Sequence, residues 1–154
     1  DAADKASPIF TDAITSLTIS QGWDILNGIN PAESKSNKSS FDSTAATNYL
    51  RSTTYNSLFD AFQPDIQNSL DKNLIGSAST NEIWNTITTT YNAAAELYPA
   101  WETINTDLDE YVTEKGLNGL FHKVGEEEKA IRKDPWAWAQ TTVGDILEKV
   151  FGSD

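Results

Sequence analysis

The sequence contains no cysteine and no methionine, and histidine occurs only once. Without cysteine the chain can form no disulfide, no thiolate nucleophile and no zinc–thiolate site. A nucleophilic triad would need His122 as its base. Sequence patterns for zinc proteases and for phosphate-binding loops are absent as well. We therefore predict that the chain is not an enzyme and holds no metal.

The chain starts at Asp1 rather than at methionine. Such a start is typical of a mature exported protein, so the predicted location is secreted or periplasmic. The sequence also lacks an apolar run of about 18 residues, which a membrane-spanning helix would need. We expect a protein that does not span a membrane.

Positive charge is scarce. Asp and Glu outnumber Lys and Arg by 23 to 11, which gives a net charge of −12. A chain this acidic repels phosphate backbones, so nucleic acid is excluded as a predicted partner. Its length of 154 residues and its 38% hydrophobic content predict one globular domain over residues 1–154.

Apolar residues recur at helical spacing, and no segment alternates with period two. Ser7-Pro8 predicts the start of a first helix, whose apolar residues Ile14 and Leu17 belong to a buried stripe. Asn27-Gly28 predicts the end of a short second helix. Ser79 and Glu82 predict a capping box before a later helix. We expect further helix breaks at Thr53-Thr54, at Pro64 and at Gly116 and Gly119, which divide the remaining helical segments. The prediction is an all-α, irregular bundle of about seven or eight helices, with residues 28–43 as a surface loop.

The last third of the chain carries a specific series of motifs, DLDEYVTEKGLNGLF, then EEEKAIRKDP, then ILEKVFG. The early segment contains AADKA, PIFTDAI and ILNG in the same order. These elements resemble the bacterial domain-of-unknown-function family 4197 over residues 2–28 and 43–152. The resemblance implies a helical, exported protein. It implies no chemistry.

Two glutamates occupy a position where an apolar residue is expected. The apolar stripe that includes Phe121, Val124 and Ile131 points inward near residues 127 and 128, and both are glutamate. An inward carboxylate costs free energy unless it is paired. Because Arg132 follows Glu128 by four residues, we predict a buried Glu128–Arg132 pair. The alternative is a ligand or metal contact.

Aromatic residues are the most informative feature, since five Trp, five Tyr and six Phe occur in this short chain. Several lie in or near connections, where they stay partly exposed unless something covers them. The candidate ligand-binding residues are Trp23, Tyr91, Tyr98, Trp101, Trp136 and Trp138.

Three functions follow as hypotheses. The first is a binding protein that holds an elongated hydrophobic small molecule, such as a lipid, an isoprenoid or a carotenoid-like chromophore, in an aromatic-lined groove. This groove would lie at a self-association surface, with a homo-oligomer or a related subunit. The second is a structural or adhesion module of a cell envelope, with an aromatic protein–protein interface. The third and weakest is a hydrolase that uses inward carboxylates near Glu127 or Glu128.

Overall fold

The computed structural model describes residues 2–33 and 40–134, and this part of the chain is mostly helical. Five α-helices lie in it, with a two-stranded antiparallel hairpin before the fourth. In chain order the elements are α1 (Ala2–Thr15), α2 (Ile19–Leu26), α3 (Ala45–Leu70), β1 (Asn73–Ile75), β2 (Ala78–Ser79), α4 (Thr80–Ala95) and α5 (Leu108–Lys133). The all-α class is confirmed, whereas the count of seven or eight helices is wrong for the described chain.

The count differs because most of the expected breaks do not interrupt a helix. Pro64 lies inside α3, so it removes one hydrogen bond without ending the helix. The predicted start of the first helix at Ser7-Pro8 is wrong, because α1 begins at Ala2 and contains Pro8. The Thr53 hydroxyl donates to the Tyr49 carbonyl oxygen at 2.9 Å, one turn earlier in the same helix. This bond satisfies the hydroxyl within the helix. α5 likewise continues through Gly116 and Gly119.

The hairpin was not predicted. Asn73 pairs with Ser79 and Ile75 with Ala78, around a turn at Gly76 whose φ is +63°. Strands of three and two residues are too short to show a period-two pattern. The capping box that follows is confirmed, because Ser79 accepts from the Glu82 N–H and Glu82 accepts from the Ser79 N–H.

The described chain divides into two compact units. Unit 1 comprises residues 1–12 and 54–119, and unit 2 comprises residues 13–53 and 120–154. Buried residues of unit 1 include Leu58, Thr88, Ala95, Thr113 and Leu117. Those of unit 2 include Ala13, Ala45, Thr47, Tyr49 and Phe121. In both units small residues and threonines are buried beside a few large apolar side chains, and many other large apolar side chains are exposed.

The segment between α2 and α3 contains no helix or strand in its described part, as expected for residues 28–43. Its start is nevertheless buried, since Gly28 and Asn30 are both shielded from solvent. Gly28 ends α2 with φ +70°, as the sequence predicted, and its N–H donates to the Ile25 carbonyl oxygen at 3.0 Å. Residues 34–39 of this loop lie outside the described residues.

The two left-handed glycines provide a matched test of how tightly the turn after α2 is packed. A Cβ at Gly28 would lie 2.8 Å from Cγ of Phe41, whereas nothing lies within 4 Å of one at Gly76. We expect Gly76→Ala to cost about 1–2 kcal/mol from backbone strain alone. Gly28→Ala should cost clearly more, because the Phe41 ring must also move. Urea unfolding of both variants checks this, and equal losses would contradict the packing argument.

Candidate functional site

An apolar groove of about 710 Å³ lies within unit 2. It is formed by the end of α1, the whole of α2 and the first turns of α3. The lining residues are Ile14, Leu17, Ile19, Gly22, Trp23, Ile25, Leu26, Ala46, Tyr49 and Leu50. None of them carries a charge, and their only polar side-chain atoms are the Trp23 indole nitrogen and the Tyr49 hydroxyl oxygen. The groove is therefore suited to an apolar ligand.

The α2 wall of the groove is left uncovered. Ile19, Trp23 and Leu26 recur at i, i+4 and i+7, so they share one helix face. Their exposed fractions are 84%, 63% and 64%. A helix of eight residues is marginal by itself, and Thr18 and Gln21 stabilise its start with a reciprocal capping box. An apolar face this open marks a surface that a ligand or partner covers.

The α3 wall is fixed to the end of α1 by Tyr49. This side chain is buried, and its hydroxyl donates to the Ala13 carbonyl oxygen at 3.2 Å. The Ser16 hydroxyl donates to the same oxygen at 3.0 Å. Because the Tyr49 hydroxyl is bonded to the backbone, the phenol ring is held in place as part of the groove wall.

Glu128 of α5 binds the N-terminus of α3. Its carboxylate accepts from the N–H groups of Ala46 at 3.0 Å and Thr47 at 2.8 Å, and from the Thr47 hydroxyl at 2.7 Å. The first amides of a helix have no partner within the helix, and the helix dipole favours an anion there. A glutamate from a distant part of the chain thus caps α3 at a groove residue, Ala46.

Arg132 binds the other side of the groove. Its guanidinium contacts Glu128 at 2.9 Å and 2.8 Å, with the two side chains only 19% and 11% exposed. The predicted Glu128–Arg132 pair is present, and both side chains are partly buried. Arg132 also donates to the carbonyl oxygens of Ile25 at 2.8 Å and Leu26 at 3.4 Å, at the C-terminus of α2. The pair therefore connects α2 to α3 through backbone atoms of groove residues, and we call it the clamp.

Asp42 extends this polar cluster. It accepts from the Thr44 N–H and hydroxyl at 2.8 Å and 2.7 Å, and from the Asn48 amide at 2.8 Å. Partial burial raises the pKa of Asp42, but hydrogen bonds from Thr44 and Asn48 and the charge of Arg132 together lower it more. The net result is a pKa below the ordinary value.

The sequence pattern of the family described as "Protein of unknown function (DUF4197)" matches residues 1–152. The chain belongs to this family. The match takes in the loop after α2 as well as the segments whose motifs first suggested the resemblance. No curated protein and no solved structure matches the chain.

This DUF4197 chain places the predicted ligand-binding residues in different units. Trp23 lines the groove of unit 2. Tyr91, Tyr98 and Trp101 belong to unit 1, where Trp101 stacks with Tyr91 at 5.8 Å and with Tyr98 at 5.2 Å between ring centroids. The remaining two, Trp136 and Trp138, lie outside the described residues.

Sequence reasoning missed most of the groove. Ile14 was assigned to a buried stripe, yet it is 53% exposed and lines the groove. Its neighbour Ala13, which is part of the same predicted stripe, is buried. The i, i+4, i+7 spacing of Ile19, Trp23 and Leu26 was the available signal, since it marks one apolar face on a very short helix.

The remaining candidate groups lie at the surface or in the clamp. His122 and Glu127 are exposed, and His122 contacts Glu126 at 3.3 Å. The Glu128 oxygens are occupied by the bonds of the clamp.

Within residues 2–33 and 40–134 no group of three or more His, Asp or Glu could hold a metal ion. No helix in these ranges is both long and apolar enough to cross a membrane.

Removing one member of the clamp should strongly destabilise the DUF4197 chain. Glu128→Ala leaves the Arg132 charge and two helix amides without their partner, and we expect a loss of about 3–5 kcal/mol. A double-mutant cycle with Arg132→Ala, read by urea unfolding, should show strong coupling. The exposed Lys123–Glu126 pair, 2.6 Å apart, is the matched control and should couple far less. Similar coupling in both pairs would contradict the buried clamp.

The lowered pKa of Asp42 predicts a specific acid sensitivity. A carboxyl whose folded pKa is depressed adds stability that is complete above its unfolded pKa and is lost as the pH falls through its folded pKa. Asp42→Asn should therefore destabilise the protein at about pH 7, and the difference from wild type should shrink at about pH 2. Urea midpoints at both pH values test this. A difference that stays constant with pH would exclude the carboxylate as its source.

Proposed function

We propose that this DUF4197 chain is a binding protein that holds an elongated hydrophobic small molecule in the groove of unit 2. The ligand class is a lipid, an isoprenoid or a carotenoid-like pigment. The observation that supports the proposal most directly is the groove itself, about 710 Å³ bounded by ten uncharged residues. Volumes of about 300–1,000 Å³ are typical of small-molecule sites.

The chemistry of the lining favours a chain-like, apolar ligand over a polar one. Each methylene moved from water into an apolar site contributes about 0.8 kcal/mol, so a long hydrocarbon gains affinity along its length. The flat Trp23 indole suits a planar or extended molecule, and the aliphatic residues around it supply no hydrogen-bonding group that would select a polar one.

A second copy of the chain is the proposed cover for the open side of the groove. Ile19, Trp23 and Leu26 expose most of their side chains beside it. Unit 2 contains 10 acidic and 8 basic residues, a net charge of −2, so charge repulsion scarcely opposes self-association through this unit. Two facing grooves would enclose a hydrophobic ligand better than one.

We propose binding without catalysis, because the described residues that line the groove include no acid, base or nucleophile other than the Tyr49 hydroxyl, which is bonded to Ala13. Glu128, the inward carboxylate on which a hydrolase would depend, is used in the clamp. The secreted or periplasmic location stays a prediction.

The second candidate function is a cell-envelope module with an aromatic protein–protein interface. It is favoured by a different observation, the exposed rings of Tyr98 and Trp101 in unit 1. This function needs no bound small molecule, so ligand content separates it from the first.

Ligand binding is tested with a fluorescent polyene fatty acid titrated into delipidated protein. We expect saturable binding by wild type and a loss of about tenfold in Trp23→Ala, since truncating a central indole typically costs more than 1 kcal/mol. Leu26→Asp should bind still more weakly, because it places a charge at the groove.

Trp101→Ala is the matched control, since it removes a half-exposed tryptophan of unit 1 and should bind the probe like wild type. Native mass spectrometry and sedimentation of wild type report the bound probe and the oligomer. Absence of saturable binding by wild type, or unchanged binding in both groove variants, would refute the proposed function.

A further inference from the structure

A second surface, independent of the groove, lies in unit 1 where the chain leaves α4. Tyr91, Tyr98 and Trp101 form a continuous stack, with interplanar angles of 12° between Tyr91 and Trp101 and 30° between Tyr98 and Trp101. Trp101 is 50% exposed and Tyr98 is similarly open. We call these three rings the aromatic stack.

The aromatic stack is held rigidly by the backbone around it. The Asn92 side-chain amide donates to the Ile104 carbonyl oxygen and accepts from the Ile104 N–H, both at 2.8 Å. The Trp101 N–H donates to the Tyr98 carbonyl oxygen at 2.9 Å. The connection after α4 is thereby fixed to the helix, and the rings present a preformed surface that loses little conformational entropy on binding.

The chain segment that carries the aromatic stack has charge of a single sign. Residues 73–114 contain seven acidic residues and no Lys, Arg or His. Glu96 and Glu102 flank the rings in sequence and are exposed. Unit 1 as a whole has 13 acidic and 3 basic residues, a net charge of −10 out of the chain's −12. Aromatic faces and carboxylates both attract cations.

Elsewhere this chain places its own cations on its aromatic rings. Arg132 lies 5.5 Å from the centroid of the Phe41 ring, Arg51 lies 5.6 Å from that of Phe121, and Lys115 lies 5.2 Å from that of Tyr111. Within the described residues no such cation lies over the aromatic stack. Among the described residues, this exposed aromatic surface of unit 1 thus has no cation of the kind that lies over the other three rings.

We propose that the aromatic stack binds an arginine-bearing basic segment of a partner protein. A guanidinium stacks on aromatic rings better than an ammonium does, because it is planar and weakly hydrated. The aliphatic side chains of Leu97 and Ile104, 77% and 41% exposed, supply apolar area that a peptide covers and a lone small cation does not. A second copy of unit 1 is disfavoured, since it would bring a charge of −10 against −10.

The test uses a short blocked peptide that alternates arginine with serine and leucine, and the same peptide with lysine or glutamate in place of arginine. Calorimetry and tryptophan fluorescence at low salt measure binding to the full chain. Wild type should bind the arginine peptide, the lysine peptide more weakly and the glutamate peptide not at all. The double variant Tyr98→Ala/Trp101→Ala should bind the arginine peptide about tenfold more weakly, which corresponds to the loss of two exposed cation–π contacts.

Trp23→Ala is the control, because it removes an exposed tryptophan from unit 2 and should leave peptide binding unchanged. Circular dichroism melts establish that each variant is folded. A double variant that binds like wild type, equal binding of the arginine and lysine peptides, or no saturable binding overturns the proposal. Binding to phosphocholine vesicles in place of the peptide, or self-association that the double variant abolishes, also overturns it. Failure here leaves fatty-acid binding in the groove intact, so the two proposals fail separately.

Discussion

The structure of unit 2 depends on the Glu128–Arg132 clamp. The carboxylate lies at the positive end of α3, and the guanidinium lies at the negative end of α2. Each charge is therefore at the helix end whose dipole stabilises it. Apolar residues at these two positions would remove the hydrogen bonds that Glu128 accepts from the α3 amides and those that Arg132 donates to the α2 carbonyls. The clamp also determines the spacing of α2 and α3, because its backbone partners Ile25 and Ala46 line the groove. A polar pair on α5 thus bonds to the backbone of both α2 and α3, the helices that line the apolar groove.

Small side chains in the core explain why so many large apolar ones are exposed. Ala13, Ala45 and Ala95 are buried, whereas Ile14, Trp23 and Leu97 are largely open to solvent. Two of the buried threonines are compatible with this core because their hydroxyls bond within their own helix. Thr88 donates to the Trp84 carbonyl oxygen at 2.9 Å and Thr113 to that of Asp109 at 2.7 Å. The larger apolar residues beside these small ones are the ones that remain exposed.

Local signals were the ones that sequence reasoning interpreted correctly. The Ser79 capping box, the glycine that ends α2 and the Glu128–Arg132 spacing each depend on a few neighbouring residues, and each is confirmed. Helix breaks were overestimated because a proline or threonine only lowers the propensity of a helix that tertiary packing stabilises. Which apolar face is covered could not be deduced, since Ala13 and Ile14 differ in burial through contacts with distant parts of the chain. The sequence therefore identifies Trp23 as a candidate because it is aromatic, but it does not identify the aliphatic residues that line the groove around it.

The uneven charge indicates which surface can meet a copy of itself. Unit 1 carries most of the negative charge, and its aromatic stack lies in a segment without a single basic residue. Desolvating such a surface against an identical one would place carboxylates together, whereas a cationic partner would neutralise them. Unit 2 is nearly neutral because its lysines and arginines nearly balance its acids, and both of its arginines already lie over rings of the same unit. Self-association through the groove and recognition of a basic partner through the aromatic stack are thus compatible within one small chain, since the charge of each unit favours a different occupant.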